Sequence, residues 1–137
     1  MTLRPDYGPA EAHPRLGVTI LGVRDFLIAM NVNLRTENVE VAKKIAAEIR
    51  SLRSEGDERF LGVRAMGVLL ASRGQVQVSL NATLPDLTPC DPIIEWVLEQ
   101  ARRANVSVAG CELIGVIRKK DMDGATRLPV RSEQVVF

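Results

Sequence analysis

The sequence has few of the residues on which nucleic-acid and membrane binding depend. Aromatic residues make up 4% of its 137 positions, and 18 Lys and Arg against 17 Asp and Glu leave a formal net charge of +1. Nucleic-acid-binding proteins rely on basic surfaces and on aromatic side chains that stack on bases. No apolar run approaches the roughly 20 residues of a membrane helix, and the first residues lack the apolar stretch of a signal peptide. We therefore expect no nucleic-acid partner and no membrane partner.

Cysteine and histidine are equally scarce. Cys90 and Cys111 lie far apart and match no metal-ligand spacing, and His13 is the only histidine. A chain of this length with 46% hydrophobic residues is long enough to bury a single core without disulfides. We predict one domain, two reduced thiols, no metal site and a cytoplasmic location.

The two ends of the chain do not show a regular period. Pro5, Pro9 and Pro14 each lack an amide donor, so residues 1–17 are predicted to form an ordered loop or a linker. The stretch 17–21 (GVTIL) is a candidate for an extra N-terminal strand. Residues 118–137 mix charge, Gly and Pro, which predicts an irregular tail with one short strand at the final QVVF.

The residues between these ends, 18–117, alternate between strand-like and helical periods. Strands are predicted over 26–34, 60–71, 75–83 and 106–117. One amphipathic helix follows the capping candidates Thr36 and Asn38, and a second follows PDLTPCDP, with Thr88 or Asp91 as cap and a proline in the first helical position.

The order of these elements predicts an α+β fold. Strand, helix, strand, strand, helix, strand is typical of the ferredoxin-like βαββαβ fold, an antiparallel sheet with both helices on one face. We expect the first and third strands to be neighbours at the centre of the sheet, and we expect that one pair to be parallel.

The first and third strands are two-sided in chemistry. In FLIAMNVNL (26–34), one face carries Asn31 and Asn33, and in QVQVSLNAT (75–83) one face carries Gln77, Ser79 and Asn81. Because the two strands are expected to be neighbours, these side chains form one polar patch on the side without helices. Amides both donate and accept hydrogen bonds, which suits a surface covered by a polar ligand or by another sheet. A solvated face with a few polar residues explains the same pattern.

Longer stretches of the sequence resemble the C-terminal subdomain of the glutamate formimidoyltransferase (formiminotransferase) family. RPDYGPAEAHPRLGVTILGVRDFLIAMNVNL is followed in order by VAKKIAAEIR, VRAMGVLLASRGQVQVSLNAT and VSVAGCELIGVI, so the resemblance runs from about Arg4 to Ile117. The motifs FLIAxNVNL, QVSxN and GCELIG occur together at the spacing of the family. The tail after Arg118 departs from the helix that the family would have there.

The resemblance implies a function in one-carbon transfer. The family moves a formimidoyl group from N-formimidoylglutamate to tetrahydrofolate as co-substrate and releases glutamate. Folate binds in a tunnel between two α/β subdomains whose sheets face each other, so the amide-rich face, with Asn31, Asn33 and Asn81, would line the site. The resemblance implies that an N-terminal subdomain is a partner of this chain and that the protein forms a homo-oligomer.

The resemblance also assigns a folate-contacting loop to residues 8–17. In this sequence Gly8, Pro9, Pro14 and Gly17 match the family pattern, and the variable positions are filled by Ala10, Glu11, Ala12, His13, Arg15 and Leu16. Fixed prolines reduce the ordering cost of binding, although a proline-rich strap between domains would look the same. The segments predicted on this basis are the folate loop (1–17), the C-terminal subdomain (18–117) and the tail (118–137).

No catalytic residue is predicted in this chain. The family's catalytic histidine belongs to the N-terminal subdomain, and His13 lies at a variable position of the loop, where an exposed role is favoured over a replacement base. Arg24, Arg64 and Arg73 are candidates for holding carboxylates, with solvated side chains as the alternative. Glu112 points either into the cleft or into water. We expect the chain to be inactive without the other subdomain; the alternative is a non-catalytic ferredoxin-like module that dimerises through its open sheet face.

Overall fold

The computed structural model describes residues 4–137, and residues 1–3 of the predicted loop lie outside the described residues. The centre of the fold is one sheet in the order β2-β3-β1-β4, with two helices. The strands are β1 (Ile28–Leu34), β2 (Val63–Leu70), β3 (Gln75–Ala82) and β4 (Val108–Ile114), and the helices are α1 (Val39–Ser54) and α2 (Cys90–Arg103). This arrangement is compatible with the predicted α+β ferredoxin-like fold.

Every pair of neighbouring strands in this sheet is antiparallel, so the expected parallel pairing of the first and third strands is wrong. β1 pairs with β3 through Ile28 opposite Ala82 and Leu34 opposite Val76. The direction follows from the connections: α1 returns the chain so that β2 runs like β1, and the hairpin to β3 then reverses it. The hairpin turn at residues 71–74 ends on Gly74, whose φ of 59° lies in the left-handed region that glycine adopts without strain.

The helices cover one face of the sheet and bury its apolar side chains. That face carries Ile28, Met30, Val32 and Leu34 of β1 and Val76, Val78, Leu80 and Ala82 of β3, each no more than 1% exposed. They pack with Ala42, Ile45 and Ile49 of α1 and Ile93, Ile94 and Val97 of α2. Asn38 caps the start of α1, because its side chain accepts a hydrogen bond from the Glu40 backbone amide, as the sequence predicts.

The start of α2 differs from the prediction. Pro89 is the N-cap residue, no side chain caps the helix, and Pro92 lies in the first turn. Asp91 lies inside the first turn of α2 and does not cap it; its carboxylate accepts hydrogen bonds from the backbone amides of Thr126 and Arg127, each at 2.9 Å. The tail therefore holds the carboxylate that we expected to cap the helix.

The tail is irregular but well packed. It contains 3₁₀ turns and the parallel pair β5 (Ile117–Arg118) and β6 (Val135–Val136), which confirms the strand predicted at QVVF. The Gln134 amide donates to the carbonyls of Leu113 and Gly115. These contacts fix the tail to the end of β4.

The N-terminal segment does not contain the candidate extra strand. Residues 18–27 have no strand partner in the described part of the chain, and Ile20 and Leu21 are both 94% exposed. The strands outside the main sheet are β5 and β6, at the other end of the chain. Among the described residues, no helix is long and apolar enough to span a membrane.

Candidate ligand-binding face

The face of the sheet opposite the helices, here called the open face, presents polar side chains on each of its four strands. These polar groups are concentrated on β1 and β3, whereas β4 also carries Gly110 and Ile114. The strand register places Met66, Ser79, Asn31 and Glu112 in one row. The rows on either side are Arg64, Asn81, Ala29 and Ile114, and Val68, Gln77, Asn33 and Gly110. Asn31, Asn33 and Asn81 thus share the face that the strand period predicts, and none of them lies beneath a helix.

Three amides on this face, Asn31, Asn33 and Gln77, form a cluster that is joined in part through Glu112. The Gln77 Nε2 atom donates to Asn33 Oδ1 at 2.8 Å, across the central pair of strands. Asn31, Asn33 and Gln77 are each no more than 8% exposed. Buried amides are stable only when they are paired, and this pairing fixes the positions of their remaining donors and acceptors.

Glu112 lies at one end of this cluster. Its Oε2 atom accepts from Asn31 Nδ2 at 3.4 Å and from Gln77 Nε2 at 3.5 Å, and its Oε1 atom accepts from Arg73 Nη1 at 3.0 Å. Burial raises the pKa of the Glu112 carboxyl, but hydrogen bonds from Arg73 and from the neighbouring amides, together with the charge of Arg73, outweigh it and hold the pKa below its ordinary value. The carboxylate is therefore ionised at neutral pH.

An open groove of about 480 Å³ adjoins Glu112. It is lined on one side by Arg73 and β4, and on the other by tail residues that include Arg131 and Gln134. Its volume lies within the range of small-molecule sites, about 300 to 1,000 Å³. The tail thus forms a wall of the groove as well as part of the core.

Of the three candidate arginines, only Arg73 contacts the cluster. Arg64 lies on the open face in register with Asn81 and is exposed. Arg24 is exposed and donates to the Asp25 carbonyl at 3.4 Å. The sequence left two orientations for the Glu112 side chain, into the cleft or into water. In the structure it lies on the open face and is one-third exposed.

The loop Gly8–Gly17 lies apart from the amide cluster. All of its residues are exposed, and no hydrogen bond within residues 4–137 joins it to the sheet. It closes on itself through the backbone pair His13 and Gly17, and the His13 Nδ1 atom accepts from the amides of Arg15 and Leu16, both at 3.2 Å. This nitrogen of the imidazole therefore stabilises the turn as a hydrogen-bond acceptor.

The segment between the loop and β1 borders the open face. Gly22–Leu27 line a groove of about 710 Å³ together with Ala29 and Ile114, which belong to one row of the face. The loop is thus tethered beside the edge of the open face, although it does not lie on it.

The two thiols are poor nucleophiles. Burial, followed by the charges of Asp121 and Asp91, raises the pKa of Cys90 to about 12. Burial also raises the pKa of Cys111, against the opposing charge of Arg127. Both cysteines are free thiols, and the part of the chain that the structure describes holds no cluster of three potential metal ligands.

Sequence reasoning left Gln77 out of the selected site residues and offered Arg73 only as one of three candidate arginines, without its partner. Gln77 shares the strand period of Asn81 and lies opposite Asn33, so its position was readable although it was not selected. Arg73 reaches Glu112 from a turn 39 residues away in sequence, and no local pattern indicates this pair. Asn81, which was selected, lies one row away and makes no hydrogen bond to the cluster.

Comparisons with known proteins give one consistent result. A family model described as formiminotransferase domain matches residues 29–137. The chain is 40% identical over 116 residues to the glutamate formimidoyltransferase of Streptococcus pyogenes serotype M1, an alignment that covers 85% of this chain and 38% of that protein. The match to the enzyme of the same name from Thermoplasma acidophilum is 39% identical and covers 83% of this chain and 36% of that protein.

A vertebrate relative extends the match. The chain is 33% identical over 133 residues to the formimidoyltransferase-cyclodeaminase of Gallus gallus, covering 96% of this chain and 24% of that protein. The chain thus spans less than two-fifths of the length of each of these relatives. The family model also includes the tail, which the structure shows packed against the sheet and α2.

Proposed function

The chain belongs to the formiminotransferase family, and from this premise we propose that it is the folate-binding C-terminal subdomain of a glutamate formimidoyltransferase. In this proposal it takes part in moving the formimidoyl group of N-formimidoyl-L-glutamate to tetrahydrofolate, the co-substrate. The catalytic acid/base comes from an N-terminal subdomain, and the chain alone binds without catalysing.

One observation carries the proposal. The open face holds one pair of buried amides, a third amide that contacts Glu112, and the ionised Glu112 carboxylate, with no helix of the described chain above them. Preorganised polar groups beside an open groove are typical of a ligand site. A face that only contacts water would gain nothing from burying Asn31, Asn33 and Gln77.

The loop Gly8–Gly17 and Asn81 complete the proposed site. The loop is followed in the chain by a segment that lines a groove beside Ala29 and Ile114. A second subdomain placed over the open face would therefore enclose one ligand between the loop, the groove and the open face. The fixed turn at His13–Gly17 lowers the entropy that ordering the loop would cost. In this assembly the partners are folate, formimidoylglutamate, the N-terminal subdomain and further copies of the chain.

Calorimetric titration tests this function. We expect 5-formyltetrahydrofolate to bind to the chain when an N-terminal subdomain of a glutamate formimidoyltransferase is supplied, and more weakly to the chain alone. Glutamate without a pterin is the control for non-specific carboxylate binding. Absence of folate binding in both conditions would remove the proposal.

A second candidate function rests on the apolar residues of the open face. Met66 is 58% exposed and Ile114 is 49% exposed, and exposed apolar residues on a sheet face are typical of a protein interface. In this alternative the chain is a non-catalytic module that dimerises through the open face. Sedimentation equilibrium separates the two: a stable homodimer that does not bind folate, and that Ile114→Asp dissociates, supports the module.

The location proposed for either function is the cytoplasm. Two free thiols, one of them buried, suit a reducing compartment.

A further inference from the structure

Glu112 is the one acidic residue among the strand residues that the structure places on the open face. The other positions of its row are Met66, Ser79 and Asn31, and the neighbouring rows carry amides, small residues, apolar residues and Arg64. An acid at the edge of a sheet needs no partner to be stable, yet this one is held from three sides. Its geometry therefore indicates a role beyond solubility.

The carboxylate keeps unused capacity to accept hydrogen bonds. An ionised carboxylate offers about four lone-pair positions, and Glu112 fills one of them well, with Arg73 Nη1 at 3.0 Å. Its contacts with Asn31 and Gln77, at 3.4 and 3.5 Å, lie at the limit of hydrogen bonding. The oxygens of these two amides accept no hydrogen bond from the described residues. The surface around Glu112 thus has an excess of acceptors.

An acceptor-rich surface complements a ligand edge that donates. Carboxylates pair most strongly with two parallel N–H groups on one carbon, as they do with guanidinium. Arg73 already supplies a guanidinium, but with a single nitrogen and from a side chain that is 58% exposed. A ligand with the same N–C–N donor pair can enter from the adjoining groove of about 480 Å³ and take the free positions.

We infer that Glu112 anchors the ligand of the open face by accepting a planar pair of N–H donors on one carbon. This inference rests on the proposed function and names the chemistry recognised at the same site. Two groups in the proposed reaction present such an edge: the 2-aminopyrimidin-4-one ring of the pterin and the formimidoyl group, an amidine. Arg73 and the paired amides are positioning residues that hold the carboxylate ionised and oriented.

Binding measurements on Glu112→Gln test the inference. The variant keeps the shape of the side chain and replaces one acceptor oxygen by a donor. We expect 5-formyltetrahydrofolate, titrated into the chain with a supplied N-terminal subdomain, to bind on the order of 10- to 100-fold more weakly than to the wild type. The matched control is Glu99→Gln, which removes the same charge from an ion-paired glutamate on α2 and leaves the affinity unchanged.

Two further titrations identify the source of the donor pair. 6-Hydroxymethylpterin carries the pyrimidinone edge without benzoylglutamate, and N-formimidoyl-L-glutamate compared with L-glutamate isolates the amidine. Weaker binding of the pterin to Glu112→Gln assigns Glu112 to the pterin, and loss of the preference for formimidoylglutamate assigns it to the amidine. If neither changes, Glu112 is not the anchor.

The outcomes separate this inference from the function beneath it. A wild type that binds no folate removes the proposed function, and the inference with it. A wild type that binds folate while Glu112→Gln binds equally well overturns the inference alone. Thermal unfolding shows whether Glu112→Gln is folded; if it is not, Glu112→Asp keeps the charge but withdraws the carboxylate by one methylene, and unchanged affinity in that variant also overturns the inference.

Discussion

The two faces of the sheet use opposite means to stay ordered. The covered face is filled by aliphatic side chains that are no more than 1% exposed and pack against two helices. On the open face, amides of nearly the same burial are held by hydrogen bonds with defined donors and acceptors. Hydrophobic contacts carry no direction, whereas amide pairs fix orientation. The comparison indicates that the covered face supplies stability, and under the proposed function the open face supplies recognition.

The test with the largest expected effect compares two adjacent residues of β3. Leu80 is on the covered face and 1% exposed, so we expect Leu80→Ala to lower the free energy of unfolding by about 2 to 5 kcal/mol through lost burial and a cavity. Ser79 points to the open face and is half-buried, and Ser79→Ala is expected to change the free energy of unfolding by no more than about 0.5 kcal/mol. Urea unfolding measures both variants. Similar losses at the two positions would contradict the division of roles.

A second test adds volume to the covered face. A methyl group built on Gly67 of β2 would lie 2.7 Å from the Lys43 Cα atom, so the backbone of α1 leaves no room for a side chain there. We expect Gly67→Ala to lower the free energy of unfolding by about 1 to 3 kcal/mol. The control is Gly22→Ala, since a Cβ at Gly22 meets no atom within 4 Å. Chemical denaturation that gave the same midpoint for both variants would mean that α1 does not lie this close to the sheet.

A third test measures the pairing of amides on the open face. The Gln77–Asn33 hydrogen bond of 2.8 Å joins two buried side chains. Removal of Gln77 takes this bond from Asn33, and removal of Asn33 leaves Gln77 with its 3.5 Å contact to Glu112. A double-mutant cycle of Asn33→Ala and Gln77→Ala should show a coupling free energy of about 0.5 to 1.5 kcal/mol. Asn81→Ala on the same face removes no hydrogen bond in the described chain and should cost less than either single variant. A coupling of zero would mean that the two amides are held independently.

The sequence predicts the two faces but not the contacts across them. A period of two places Asn31, Asn33 and Gln77 on one side of the sheet wherever the strands start and end, because a strand alternates its side chains. The pairing direction of β1 and β3 was wrong although the connections determine it: one helical return and one hairpin turn reverse the third strand. The periodic features thus followed from local chemistry, and the error lay in the topology.

Contacts between distant segments left no trace in any local pattern. Asp91 has the residue type of a helix cap, yet it lies in the first turn of α2, and Thr126 and Arg127 of the tail donate to its oxygens. The ion pair of Arg73 and Glu112 likewise joins a turn to an edge strand. Each of these contacts depends on the folded path of the chain, so residue type alone could only offer alternatives.

The smallest effect that we predict separates the charge of Glu112 from its packing. Because the pKa of Glu112 is lower in the folded chain than its ordinary value of 4.5, its ionised form stabilises the fold above about pH 4.5, and this contribution is lost as the pH falls through the folded pKa. Wild type and Glu112→Gln should therefore differ in unfolding free energy by under about 1 kcal/mol at pH 7. The difference should shrink between pH 5 and pH 3, where urea unfolding at closely spaced pH values resolves it. A difference that stayed constant over this range would assign the effect to packing, and Glu112 would then contribute to the open face by its shape and not by its charge.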